Sequence, residues 1–129
     1  MAHLTEEMTE MLNRVMWVLA TADESGVPNA VPIHFKAILA DGRLMLVDNF
    51  MNKTVANIQA NPRVSISVWE SSSGYQFKGW ASIEKSGANY DLAVEMVRDK
   101  PFNPKGVVVV EVDSIYLTTP GPQAGSKIE

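Results

Sequence analysis

Hydrophobic residues along this chain come mainly in short β-branched and aromatic runs that end at clusters of Gly, Pro, Ser, Asn and Asp. Such runs predict strands of a sheet that is buried on at least one face. The clearest alternation lies in Tyr75–Glu84, where Phe77, Gly79, Ala81 and Ile83 share one face. The predicted strands are Val15–Thr21, Pro28–Leu39, Arg43–Val47, Arg63–Trp69, Tyr75–Glu84, Val107–Val112 and Ile115–Thr118.

Two prolines give the second of these strands a special character. Pro28 and Pro32 have no N–H to donate to a ladder, so we expect an edge, bulged or bent strand. The alternative is that the prolines only protect an exposed edge from pairing with other chains. Asp41-Gly42 predicts the hairpin turn into the next strand, and Ser71–Gly74 predicts a flexible connection later in the chain.

Helical spacing is confined to three segments. Thr5, followed by two glutamates, predicts the capped start of the first helix. In the longest segment Tyr90, Val94 and Val97 lie on one face. The absence of βα alternation and of an internal repeat favours an antiparallel barrel over a parallel sheet. The helices are predicted after Thr5, over Lys53–Ala60 and over Asn89–Lys100.

Length and composition limit the classes of protein to consider. A chain of 129 residues fits one domain with one core. The formal net charge of -4, without any run of Lys or Arg, predicts no nucleic-acid partner. The absence of cysteine excludes disulfides and thiolate sites and fits a reducing compartment. Without a signal-peptide pattern or a run of roughly 20 apolar residues, we expect a cytoplasmic protein with no membrane partner.

The strongest chemical signal is Asp48–Thr54, a polar segment that follows a strand and leads into the second helix. Free amides at a helix N-terminus bind phosphate, and Lys53 adds a positive charge there. Asn52 and Thr54 add side-chain hydrogen bonds. The alternative is an ordinary surface helix in which Asn52 caps the first turn and Lys53 is solvated.

Other candidate groups indicate less. His3 and His34 lack a third partner, so no metal site is expected. Lys105 and Lys127 are expected to be solvated charges, and Gly121–Lys127 lacks the spacing of a phosphate loop. Tryptophans in strands are expected in the core, with stacking on a ligand or a second subunit as the alternative. They are Trp17, Trp69 and Trp80.

Four motifs in a fixed order give the sequence a family resemblance. They are Val27–Phe35 (VPNAVPIHF), Asp41–Leu44 (DGRL), Asn52–Thr54 (NKT) and Asn61–Val64 (NPRV). Over roughly residues 11–118 the chain resembles the flavin-binding split-barrel family typified by pyridoxamine 5'-phosphate oxidase. The ending Thr119–Gly125 is similar to that of small flavin-binding members.

The resemblance implies a six-stranded antiparallel split β-barrel that dimerises and holds one flavin mononucleotide (FMN) per subunit between the two chains. It further implies an oxidoreductase in which FMN carries hydride or electrons. The alternatives are a non-enzymatic electron carrier or sensor, and a pocket for haem or a deazaflavin. The implied site residues are Asn52, Lys53 and Thr54 at the phosphate, Asp48 and Asn49 beside the ribityl chain, and Val31, Pro32, Ile33 and His34 along the isoalloxazine ring.

Physical reasoning supports the dimer and limits the substrate. A small barrel is filled by its own side chains, so a tricyclic ring lies outside and needs a second subunit on its other face. In the oxidases of this family, basic and imidazole groups near the C-terminus hold the substrate phosphate. This chain has no Arg after Arg98 and no His after His34. We therefore expect an unidentified small-molecule substrate or redox partner.

Overall fold

A computed structural model describes residues 1–129 and confirms a mostly β, antiparallel fold with short helices. It contains three helices and seven strands. The helices are α1 (Glu6–Arg14), α2 (Lys53–Ala60) and α3 (Ala88–Met96). The strands are β1 (Trp17–Ala22), β2 (Pro28–Ile33), β3 (Lys36–Ile38), β4 (Leu44–Asp48), β5 (Arg63–Glu70), β6 (Ser73–Glu84) and β7 (Gly106–Leu117).

All seven strands belong to one sheet in the order β2-β1-β5-β6-β7-β4-β3. Only His34 and Phe35 separate β2 from β3 along the chain, although these strands occupy opposite edges of the sheet. Two residues cannot cross a flat sheet of strands spaced about 4.8 Å apart. The sheet must therefore curl until its edges meet, which is the split-barrel arrangement that the resemblance implies.

The inner face of the curled sheet forms the main core. Trp17 and Leu19 of β1 and Phe77 of β6 are buried there. α1 packs against β3 and β5 and adds Met11 and Leu12. Full burial of a large apolar side chain contributes about 1.5 to 3 kcal/mol. Because side chains fill this interior, a planar ligand has to bind outside it.

The proline-containing run differs from its prediction as one strand. Pro28–Leu39 divides at His34 and Phe35 into β2 and β3, so the sheet has seven strands, one more than the six that the resemblance implies. β2 is an edge strand that pairs only with β1, as expected of a strand with two prolines. Through these two residues the chain passes from one edge of the curled sheet, β2, to the other edge, β3.

Two further strand predictions are wrong in detail. Ser71–Gly74 is a tight turn rather than a flexible connection, since Glu70 already pairs with Ser73. The predicted strands at Val107–Val112 and Ile115–Thr118 are one strand, β7. A bulge opposite residues 78 and 79 accommodates the extra residue Asp113, so the polar interruption does not end the strand.

The helices agree with the predictions except for the end of α3. Thr5 caps α1, where its hydroxyl oxygen accepts from the Met8 amide at 3.2 Å. α3 ends at Met96 because tighter three-residue turns follow it. Val94, expected on the buried face, is 42% exposed, and Ala93 is buried instead. None of the three helices is long and apolar enough to cross a membrane.

The tryptophans do not all belong to the core. Trp17 is buried, and its indole N–H donates to the Leu12 carbonyl at 2.8 Å. Trp69 and Trp80 are exposed on the outer face of the sheet because strand alternation directs them away from the core. The Arg63 guanidinium stacks 4.5 Å from the ring centre of Trp80.

The C-terminal segment after β7 folds back on its own chain. The Gly125 amide donates to the Leu117 carbonyl at 2.7 Å, and the Leu117 amide donates to the Ser126 carbonyl at 2.9 Å. An isolated antiparallel bridge joins Tyr116 to Lys127. The proline- and glycine-rich segment therefore adds backbone hydrogen bonds to the last strand.

Candidate functional site

Two segments of the chain face each other across a cleft at the split of the barrel. One wall is β2 with the bend that follows it, and the other is the end of β4, the β4–α2 loop and the first turn of α2. At one end, the Val47 amide donates to the Phe35 carbonyl at 2.9 Å. At the other, the Asn29 side-chain amide donates to the Thr54 hydroxyl at 3.1 Å. The cavity between them has a volume of about 450 Å³.

The β4–α2 loop, residues 49–52, takes its shape from Asp48. Asp48 is 4% exposed, and its Oδ1 accepts from the Met51 amide at 2.8 Å. Lys105 Nζ lies 3.8 Å from the same oxygen and donates to the Met51 carbonyl. The Asp48 side chain thus organises the loop and does not line the cleft. Lys105, expected to be a solvated charge, is paired instead.

The start of α2 leaves backbone donors without helical partners. The Ala56 amide is the first to bond back, to the Asn52 carbonyl at 3.2 Å, so the amides of residues 53–55 precede the helical ladder. Asn52 makes no side-chain capping bond. Lys53 is exposed at the cleft and belongs to no ion pair of the chain. An anion that reaches this turn therefore meets free donors and an unpaired ammonium group.

A buried polar network fixes α2 against β1 and β2. The Thr54 hydroxyl, which is 2% exposed, accepts from Asn29. The Asn57 side-chain amide donates to the Thr21 hydroxyl at 3.0 Å. Asn29 also lies 3.4 Å from the Thr21 oxygen. Because buried polar groups are costly without partners, this network defines where the first turn of α2 sits.

Aromatic side chains form the opposite end of the cleft. Phe35 and Phe102 meet edge to face with ring centres 5.5 Å apart, and Phe50 meets Phe102 at 5.7 Å. Phe50 is 77% exposed. His34, on the bend, is exposed beside them, and its carbonyl accepts from Lys36 Nζ at 3.2 Å. Burial lowers the pKa of that Lys36 amine.

One polar atom of the cleft wall lacks a partner. Asn49 Oδ1 is buried at the cleft wall and accepts no hydrogen bond. Such an atom costs free energy unless a ligand or water donates to it. No Asp or Glu side chain lines the cleft, and Lys53 is its one permanent charge. The cleft thus favours a ligand with an anionic group at one end and an N–H or O–H donor that reaches Asn49.

The structure brings together all but one of the residues that the resemblance implies. Asp48 is the exception, because its side chain points into the loop. The residues that line the cleft are Val31, Pro32, Ile33, His34, Asn49, Asn52, Lys53 and Thr54.

Sequence reasoning missed Asn29 and the three phenylalanines of the cleft. Asn29 alternates with Val31 and Ile33 along β2, so strand periodicity contained the signal that it shares their face. Phe102 comes from the α3–β7 loop, and no local pattern connects it with Phe35. Only the folded chain brings these rings together.

Comparison with known proteins agrees with this geometry. The sequence family described as pyridoxamine 5'-phosphate oxidase matches residues 4–119. An uncharacterized protein of Methanocaldococcus jannaschii is 38% identical over 130 residues, which cover 97% of this chain and 87% of that protein.

Two solved structures extend the comparison. HupZ of Group A Streptococcus has a TM-score of 0.85 at 29% identity, and the match covers 95% of this chain and 100% of that one. An FMN-binding protein of Syntrophomonas wolfei subsp. wolfei has a TM-score of 0.77 at 16% identity, covering 88% and 84%, and therefore shows the shared fold alone. From the match over residues 4–119, the chain belongs to the pyridoxamine 5'-phosphate oxidase family.

Proposed function

We propose that residues 1–129 form a single FMN-binding domain. The protein is an oxidoreductase in which the bound FMN carries hydride or electrons. The observation that carries the proposal is the opposite chemistry of the two ends of the cleft. From Asn29 to Ile33 the β2 wall extends about 13 Å at roughly 3.3 Å per residue, and the bend at His34 and Phe35 continues it. An elongated ligand with a phosphate at one end and a planar ring at the other matches this gradient.

The Lys53 end of the cleft suits a phosphate monoester. The amides that open α2 point their partial positive charge at this end, and Lys53 adds a full charge. The Thr54 oxygen already accepts from Asn29, which leaves its own O–H free to donate to the phosphate. Asn52 forms no cap and is likewise free to donate.

The middle and the ring end suit the rest of FMN. A ribityl hydroxyl would donate to Asn49 Oδ1, which has no partner within the chain. The isoalloxazine ring would lie along Val31, Pro32, Ile33 and His34. An edge strand leaves backbone groups free for a ring edge to contact, and Pro32 removes only its own N–H.

The open side of the cleft supports a homodimer. Phe50 and Pro32 are exposed beside the proposed ring position, so this chain covers only one face of a planar ligand. A second copy covers the other face, which makes FMN binding depend on dimer formation. Flavin occupancy should therefore fall on dilution together with the dimer fraction, measured by analytical ultracentrifugation.

When bound, FMN supplies the hydride or electron transfer, and the chain supplies binding, orientation and shielding from water. The cleft contains no carboxylate, and His34 is its one imidazole. This scarcity of acid–base groups also favours a second candidate, a flavin-binding electron carrier without a substrate. The lack of Arg after Arg98 and of His after His34 argues against oxidation of pyridoxamine phosphate.

The visible absorption spectrum of freshly purified protein tests the proposal. We expect a flavin spectrum, or quenching of FMN fluorescence when FMN is added to colourless protein. A haem or deazaflavin spectrum, or no interaction with FMN, would refute it. Stopped-flow reduction by nicotinamide cofactors, followed by turnover with organic acceptors, then separates an enzyme from an electron carrier.

A further inference from the structure

Lys105 connects two loops that are distant in sequence. Its backbone amide donates to the Asp48 carbonyl at 2.8 Å and continues the ladder between β4 and β7. Its ammonium group lies 3.8 Å from Asp48 Oδ1 and donates to the Met51 carbonyl. On the other side, the Tyr90 hydroxyl donates to the carbonyl of neighbouring Pro104 at 2.8 Å. Lys105 is therefore held in place on both sides before any ligand binds.

The β4–α2 loop has few other hydrogen bonds. The Met51 amide donates to Asp48, and the Asn52 carbonyl accepts from Ala56. Lys105 thus provides the one side chain that binds the Met51 carbonyl. This carbonyl belongs to the peptide directly before Asn52. Rotation of that peptide would redirect the Asn52 amide and shift the residue from which α2 starts.

We infer that Lys105 is a positioning residue for phosphate recognition, which it achieves without lining the cleft. Its ammonium group holds the Met51 carbonyl and the buried Asp48 carboxylate, and so fixes the loop that leads into the amides that open α2. This inference rests on the proposed function, because it assigns these amides to the phosphate of FMN. It also accounts for a lysine whose side chain is 53% exposed yet makes two contacts with one loop.

The test compares Lys105→Met with Lys105→Arg and with Lys100→Met. Lys105→Met keeps the length of the side chain and removes its charge and donors, whereas Lys105→Arg keeps both. Lys100 is an exposed lysine in the turns after α3 with no side-chain partner, so Lys100→Met is the matched control. Two measurements are made: dissociation constants for FMN and for riboflavin, and hydrogen exchange of residues 49–55 in ligand-free protein.

We expect Lys105→Met to raise the dissociation constant for FMN about ten-fold and that for riboflavin less than about two-fold. Exchange of residues 49–55 should rise in the same variant, and Lys105→Arg should restore both quantities. A structural defect alone would weaken both flavins equally, which would overturn the inference. Unchanged exchange in Lys105→Met would overturn it too, and this readout needs no ligand. If the wild type binds neither flavin, the proposed function fails, and the phosphate role of Lys105 fails with it.

Discussion

Replacement of Lys53 by alanine tests most directly whether this end of the cleft binds an anion. Two unit charges 4 Å apart interact by about 1 kcal/mol in water and about 4 kcal/mol at an effective dielectric constant of 20. Lys53 is exposed, which favours the lower part of this range, but no carboxylate of the chain competes for it. We expect Lys53→Ala to weaken FMN binding by about 1 to 3 kcal/mol, a rise in dissociation constant of about 5- to 150-fold.

Fluorescence titration with FMN and with riboflavin separates the phosphate contribution from that of the ring. Riboflavin lacks the phosphate, so its affinity should change less than about two-fold in Lys53→Ala. Added salt should weaken FMN binding to the wild type more than to the variant, because salt screens the attraction between the Lys53 ammonium group and the phosphate, which the variant lacks. Lys85→Ala removes an exposed lysine outside the cleft and serves as the control. Equal losses for both flavins, or an unchanged FMN affinity, would refute the assignment.

Three further predictions concern stability. Thr54→Val breaks the buried network and should lower the free energy of unfolding in urea by about 1 to 2 kcal/mol, whereas Thr54→Ser should keep it; equal values would contradict the network. Gly79→Ala would place a Cβ 2.1 Å from the Glu111 carbonyl oxygen and should cost about 1 to 3 kcal/mol; an unchanged urea midpoint would contradict this. The hydrogen bond from Arg63 and its charge lower the pKa of the Asp113 carboxyl below its usual value of 3.8. The stability that this ion pair adds is therefore present above that pH and is lost as the pH falls through the lowered pKa. The free energy of unfolding should therefore change less between about pH 5 and about pH 3 in Arg63→Gln than in the wild type. The reduction should be less than about 1 kcal/mol because the pair is exposed. An unaltered change would show that the pair plays no part in acid unfolding.

Local patterns along the chain predicted most of the strands and helices and the position of Lys53 at the start of α2. α2 begins and ends where its sequence predicts, because a polar loop precedes Lys53 and Asn61-Pro62 follows Ala60. These features depend on neighbouring residues only, so the linear sequence contains them.

Local patterns were less informative about positions whose partners are remote in sequence. Asp48 was assigned beside the ribityl chain, but its carboxylate organises the loop with Lys105. The tryptophan at position 80 was expected in the core, although the alternation around Phe77 indicated an outward position. The family resemblance favoured one role for Asp48 and residue type favoured one for Trp80, and the packing of neighbouring strands and loops gave each side chain another position.

What the sequence alone determined is most of the strand content, the positions of the helices and the polar turn with Lys53 that opens α2, since each depends on contiguous residues. Only the tertiary structure decided that Phe102 joins Phe35 and Phe50 at the far end of the cleft, and that Lys105 supports the turn from outside. The physical reason is the pairing of strands that are remote in sequence. The register places the start of β3, the end of β4 and the start of β7 side by side, so residues next to these strand ends meet although no local segment contains them.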